Sequence, residues 1–116
     1  MIHHVAVETR REDADACVAF FALLGFALVD PPPTLRDRAV WVQRDAQQIH
    51  LQFADDPVIP PRGHLAVVAS DYDATIAALR AAGHEVDPRE EHWGSPRAFV
   101  RDPAGHVVEV MQFPPA

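Results

Sequence analysis

Three histidines and a glutamate sit inside short apolar runs, where a polar or ionised group is costly unless something faces it. They are His4 in Ile2-His3-His4-Val5-Ala6-Val7, His50 in Gln48-Ile49-His50-Leu51-Gln52-Phe53, His64 in Gly63-His64-Leu65-Ala66-Val67-Val68, and Glu109 in Gly105-His106-Val107-Val108-Glu109-Val110-Met111-Gln112. Imidazole nitrogen and carboxylate oxygen are a donor set for a divalent metal such as Zn, Ni, Mn or Fe, at bond lengths of about 2.0–2.2 Å. The same groups serve as general acids and bases. A lone histidine in an apolar strand is more often a hydrogen-bonded core residue than a ligand, so the reading turns on whether the four meet.

Their spacing bears on that. His4 and His64 lie 60 positions apart, His50 and Glu109 59, and the helix-stopping Gly25 and Gly83 58. Self-similarity at a fixed period is a fold-level signal. In the first half, alternation predicts strands over 2–8, 26–29, 38–43 and 47–53. Thr9-Arg10-Arg11-Glu12 reads as a capping box for a helix near 11–24, with Cys17, Phe20, Phe21 and Leu24 as its apolar stripe. In the second, strands over 64–69, 84–87, 97–101 and 106–112 surround a helix near 71–82, with Tyr72, Ile76 and Leu79 inward. The proline-rich stretch Asp55-Asp56-Pro57-Val58-Ile59-Pro60-Pro61 joins the halves. Each half is thus strand, helix, strand, strand, strand, an α+β pattern with module 1 over 1–54 and module 2 over 63–113 of one domain, 1–116. Period-two parity sets His4 with Ala6 and Glu8, His50 with Gln48 and Gln52, His64 with Ala66 and Val68, and Glu109 with Val107 and Met111. The opposite faces are apolar and suited to packing under a helix.

A chain of 116 residues with 48% hydrophobic content suits one domain with its own core. The net charge of −7 argues against nucleic acid or an anionic membrane as partner. All ten basic residues are arginine, which removes Schiff-base chemistry and a P-loop lysine. Cys17 is the only cysteine, so a cysteine-rich zinc site is excluded, and its place on a helix stripe marks a core thiol. No apolar run approaches a membrane span, and with no leader-like start a cytoplasmic location is expected.

The segments around His4, around His64, and from Arg97 through Asp102-Pro103-Ala104-Gly105 to Glu109 resemble the vicinal oxygen chelate superfamily, the glyoxalase, bleomycin-resistance and extradiol-dioxygenase group. The resemblance covers nearly the whole chain and implies paired βαβββ modules. It also implies metal ligands at His4, His50, His64 and Glu109, with Glu109 and His50 as the proton-moving residues. Bacterial glyoxalase I resembles this pattern but carries Glu where His50 stands. Three histidines and one glutamate leave a formal charge of +1 on a divalent cation, which favours an anionic substrate.

The resemblance therefore implies a glyoxalase-like, lyase or isomerase type of metalloenzyme, stabilising an enediolate or related anion of a small vicinal-oxygen substrate. One alternative is a metal-free, bleomycin-resistance-like binding protein for a drug or other small molecule. A second is an extradiol-type dioxygenase using the His4, His64 and Glu109 subset. Gln48, Gln52, Trp93 and Arg97 are the expected substrate contacts. His3 is expected on the face opposite His4, and His84, His92 and His106 in solvent. If His50 is a ligand in an open polar cleft, truncating it is expected to cost the apo protein little; if it is a packed core histidine, the cost is expected to be about 1–3 kcal/mol with or without metal. Unpaired strand edges on so small a domain point to a homodimer.

Overall fold

The computed structural model describes every residue from Met1 to Ala116, and the chain divides into two units, Met1–Ile59 and Pro60–Ala116. Unit 1 comprises β1 (His4–Thr9), a 3₁₀ turn (Arg11–Asp13), α1 (Ala14–Ala22), β2 (Ala27–Val29), a second 3₁₀ turn (Pro33–Leu35), β3 (Ala39–Arg44) and β4 (Gln47–Phe53). The strand order is β1-β4-β3-β2, with β1 parallel to β4 and the other pairs antiparallel. A parallel pair needs a crossover, which α1 provides. Unit 2 repeats the plan with β5 (Leu65–Val68), α2 (Tyr72–Ala81), β6 (Val86–Arg89), β7 (Arg97–Arg101) and β8 (Val107–Met111), in the order β5-β8-β7-β6. The fold is α+β, two βαβββ modules.

Alternation decides which face each strand buries. In unit 1, Val42, Ile49 and Leu51 form the core with Cys17, Phe20 and Phe21 of α1, which packs on β2 and β3. In unit 2, Val67, Ala98, Val100, Val108 and Val110 bury the corresponding face together with Ile76 and Leu79 of α2. The other face of each sheet is left for polar side chains. Gly25 and Gly83 end the helices at φ 89°, the left-handed conformation that glycine adopts without a Cβ penalty.

The capping box expected at Thr9 does not form. Thr9 stays in β1, paired with Phe53, and its fully buried Oγ1 has no partner; the α-helix begins only at Ala14, with no side-chain cap. Strand pairing holds Thr9 extended and turns its hydroxyl inward. At α2 a side-chain cap is present, Asp71 accepting from the Ala74 amide at 3.4 Å.

The β7–β8 turn aims Glu109. Asp102 is buried, and its Oδ1 accepts the amides of Ala104 (3.0 Å) and His106 (2.9 Å), while Oδ2 has no partner. His106, expected in solvent, is buried with it, because the turn folds back so that the Asp102 amide donates to the His106 carbonyl. Burial raises the Asp102 carboxyl above its ordinary value of 3.8, outweighing the hydrogen bonds that favour the ionised form. With the folded value raised, this contribution to stability is full below the ordinary value and is lost as pH rises through the raised one. Asp102→Ala is expected to cost about 1–3 kcal/mol, more at about pH 4 than at about pH 7, read as a chemical-denaturation midpoint.

Candidate functional site

The candidate residues fall into two pairs, one on the polar face of each sheet. In unit 1, Trp41 is directly across the β3–β4 hairpin from His50, and Gln43 is across from Gln48. The Trp41 and His50 rings stack at 3.9 Å and 3°, and His50 stacks in turn on His4 of β1 at 4.0 Å and 12°. His50 is the buried middle layer of three rings. His4 is exposed, and its Nδ1 meets Nδ1 of His3 at 3.0 Å, so one of the two nitrogens carries a proton and the other accepts it. His3 therefore contacts His4 instead of pointing away. It precedes β1 and escapes the strand's alternation.

A relay of amides fixes the state of His50. The Asp45 carbonyl can only accept, and it takes a hydrogen bond from Gln43 Nε2 at 2.8 Å. Gln43 Oε1 then accepts from Gln48 Nε2 at 2.8 Å, which leaves Gln48 Oε1 to accept from His50 Nε2 at 2.8 Å. His50 must carry its proton on Nε2, and Nδ1 keeps the lone pair. Burial lowers the His50 pKa below its ordinary 6.5, and the charges of His4 and then His3 lower it further, so near neutral pH that lone pair is available. Both ends of Gln48, expected at the substrate, are engaged in holding His50. Gln43→Met removes the anchor and is expected to let His50 populate both tautomers, visible in its ring ¹⁵N shifts at neutral pH.

In unit 2, Glu109 is buried on β8, with Ala66 of β5 and Phe99 of β7 as its strand neighbours. Oε1 lies 3.1 Å from His64 Nε2, and Oε2 lies 3.7 Å from Arg97 Nη1. Arg97 is largely buried, donates Nε–H to the Glu90 carbonyl at 2.8 Å, and lies 5.5 Å from the Phe99 ring centre. His64, just ahead of β5, places Nδ1 2.9 Å from the Arg62 carbonyl. That carbonyl takes the Nδ1 proton, so Nε2 and Oε1 are two lone pairs face to face. One cation, a proton or a metal ion, has to sit between them.

The donor chemistry fits a metal. Two ligand atoms each bonded at about 2.1 Å and about 90–110° apart lie about 3.0–3.4 Å from one another, a range that includes the His64–Glu109 separation. The Arg62 carbonyl on Nδ1 is the outer partner that orients a ligating imidazole. Neither unit alone groups three or more His, Cys, Asp or Glu side chains to hold a metal ion. His4 with His50, rings stacked face to face at 4.0 Å, and His64 with Glu109 are two separate pairs, one in each unit. Of the other expected substrate contacts, Gln52 is exposed and lines a cavity of about 570 Å³ in unit 1, and Trp93 donates its indole N–H to the Phe113 carbonyl at 2.8 Å. Trp41, Gln43 and Phe99 were not among the expected residues.

A family model for the glyoxalase-like domain matches residues 4–111. The chain is a member of the glyoxalase-like domain family. That places it in the vicinal oxygen chelate superfamily. No curated protein sequence matches it. Among solved structures, a protein assigned to the glyoxalase family from Bacillus anthracis superposes with a TM-score of 0.86 at 26% identity, over 96% of this chain and 93% of its own. A lactoylglutathione lyase from Agrobacterium tumefaciens gives 0.72 at 24%, over 96% and 92%. An antibiotic-binding protein from a Streptomyces species gives 0.73 at 23%, over 96% and 93%. The last two likenesses show the fold of this glyoxalase-like protein. No helix is long and apolar enough to cross a membrane.

Proposed function

We propose that this glyoxalase-like protein is a divalent-metal-dependent enzyme acting on a small anionic substrate with two neighbouring oxygens. In this proposal His4, His50, His64 and Glu109 hold the metal. The observation that carries the reading is the opposition of His64 Nε2 and Glu109 Oε1 at 3.1 Å, with Nδ1 already engaged by the Arg62 carbonyl. When bound, a divalent cation supplies Lewis-acid polarisation of the substrate oxygens. Glu109 can take a proton at a carboxylate oxygen, while Arg97 balances its charge at Oε2. Gln48 holds His50 with its proton on Nε2, so Nδ1 is the one nitrogen left to hold the metal or, when it is released from the metal, to take a proton. The Trp41 and His4 rings keep the His50 imidazole in plane and restrict water around it. Metal uptake by chelator-treated protein tests the reading.

A metal-free binding protein is the second reading. It is favoured by the unit 1 cavity, which is lined by only one of the four candidate ligands, His50. A homodimer is also part of the proposal. β1 and β5 are edge strands of their own sheets and leave Val5 and Val68 exposed, an arrangement that pairing would relieve. Light scattering is expected to give twice the 12.8 kDa chain mass.

A further inference from the structure

We propose that the cavity of unit 1 binds a planar aromatic acid, its ring body against Trp41 and Leu35 and its carboxylate on Arg11. This rests on the small-molecule reading above and names its substrate class. The cavity, about 570 Å³, is in the range of small-molecule sites and lies where β4 ends and β3 begins. Trp41, Leu35 and Phe53 supply its apolar wall. His50 covers one face of Trp41 at 3.9 Å, so only the other face and the edges remain to line the cavity. A flat ring there extends an existing stack, and the partner it meets is already rigid.

Charge decides which end group goes with that ring. Arg11, Arg38, Asp37 and Asp55 all line the cavity, a formal balance of zero. The two signs are held differently. The Arg11 guanidinium lies 4.3 Å over the Phe53 ring and donates Nη2–H to the Asp37 backbone carbonyl at 2.7 Å. It is fixed in place with further N–H groups to give. Neither Arg11 nor Arg38 forms a direct ion pair with a carboxylate. Asp37 and Asp55 are exposed and free to turn to water. A carboxylate ligand therefore meets a prearranged fork, whereas a cation meets two unheld acids beside a fixed guanidinium.

Calorimetry on the full, chelator-treated chain with 2-naphthoate, 2-naphthamide and cyclohexanecarboxylate tests this. Naphthoate is expected to bind about tenfold or more tightly than either of the others. Arg11→Gln, a change at an exposed side chain, is expected to remove most of that preference and leave naphthamide affinity within about twofold. Trp41→Leu is expected to weaken naphthoate and naphthamide alike. If that variant does not fold, Trp41→Phe, which keeps a ring, is expected to retain the preference. Equal affinity for naphthoate and naphthamide, an Arg11→Gln protein that keeps the preference, or no naphthoate binding at millimolar concentration would overturn the proposal. A parallel metal titration separates the two readings. Naphthoate preference without metal uptake leaves this inference standing and removes the metalloenzyme, and the opposite pattern does the reverse.

Discussion

Glu109→Gln is expected to lower affinity for divalent metal by about a hundredfold or more while changing the stability of the metal-free protein by no more than about 1 kcal/mol. The amide keeps the shape of the carboxylate and loses its charge, which is the stronger part of the donor. In the metal-free state the exchange is close to neutral for a geometric reason. The new NH₂ group can donate to His64 Nε2, 3.1 Å away in the parent, and the amide oxygen can accept from Arg97. No proton or metal is then needed between residues 64 and 109. Metal titration by calorimetry, together with apo melting curves, separates loss of ligation from loss of packing. A large drop in apo stability with unchanged metal affinity would mean that Glu109 serves the fold.

His50→Ala is expected to act differently, weakening metal binding and costing the apo protein about 2–3 kcal/mol. The truncation removes the middle of a three-ring stack and leaves Gln48 Oε1 without its donor. An open polar cleft would tolerate the change, but the structure buries His50, the case in which the sequence reading expects a cost in the apo protein. The pH dependence has a definite sign. With its folded pKa below 6.5, neutral His50 contributes stability that is full above about that value and is lost as pH falls through the lowered one. The variant lacks this component. Denaturation midpoints compared at about pH 7 and about pH 5 are expected to fall less in His50→Ala than in the parent.

Much of this arrangement was legible in the residues. The repeat in spacing reflects two modules with the same order of elements, and β4, α2 and β7 lie where alternation and helical periodicity place them. The face carrying His50 and the face carrying Glu109 also follow from parity, since Ile49, Leu51, Val108 and Val110 claim the buried side. What parity cannot supply is register. Trp41, Gln43 and Phe99 become neighbours of His50, Gln48 and Glu109 only through cross-strand pairing. For the β3–β4 hairpin the signal was present, because counting back from the turn at Asp45 and Ala46 sets Trp41 opposite His50. The Thr9 capping box failed because a local side-chain bond competes with strand pairing, and pairing with Phe53 won. His106 was misplaced for a related reason, since a short motif does not reveal that Asp102 draws its turn inward.

The central proposal is that His64 and Glu109 hold a divalent metal ion. Titrating chelator-treated protein with Mn, Fe, Ni and Zn, each in turn, tests it most directly. The account expects about one equivalent of at least one of these metals per chain, a rise in melting temperature on binding, and loss of both in His64→Ala and in Glu109→Gln. Uptake below about a tenth of an equivalent for every metal, with unchanged melting, would contradict it.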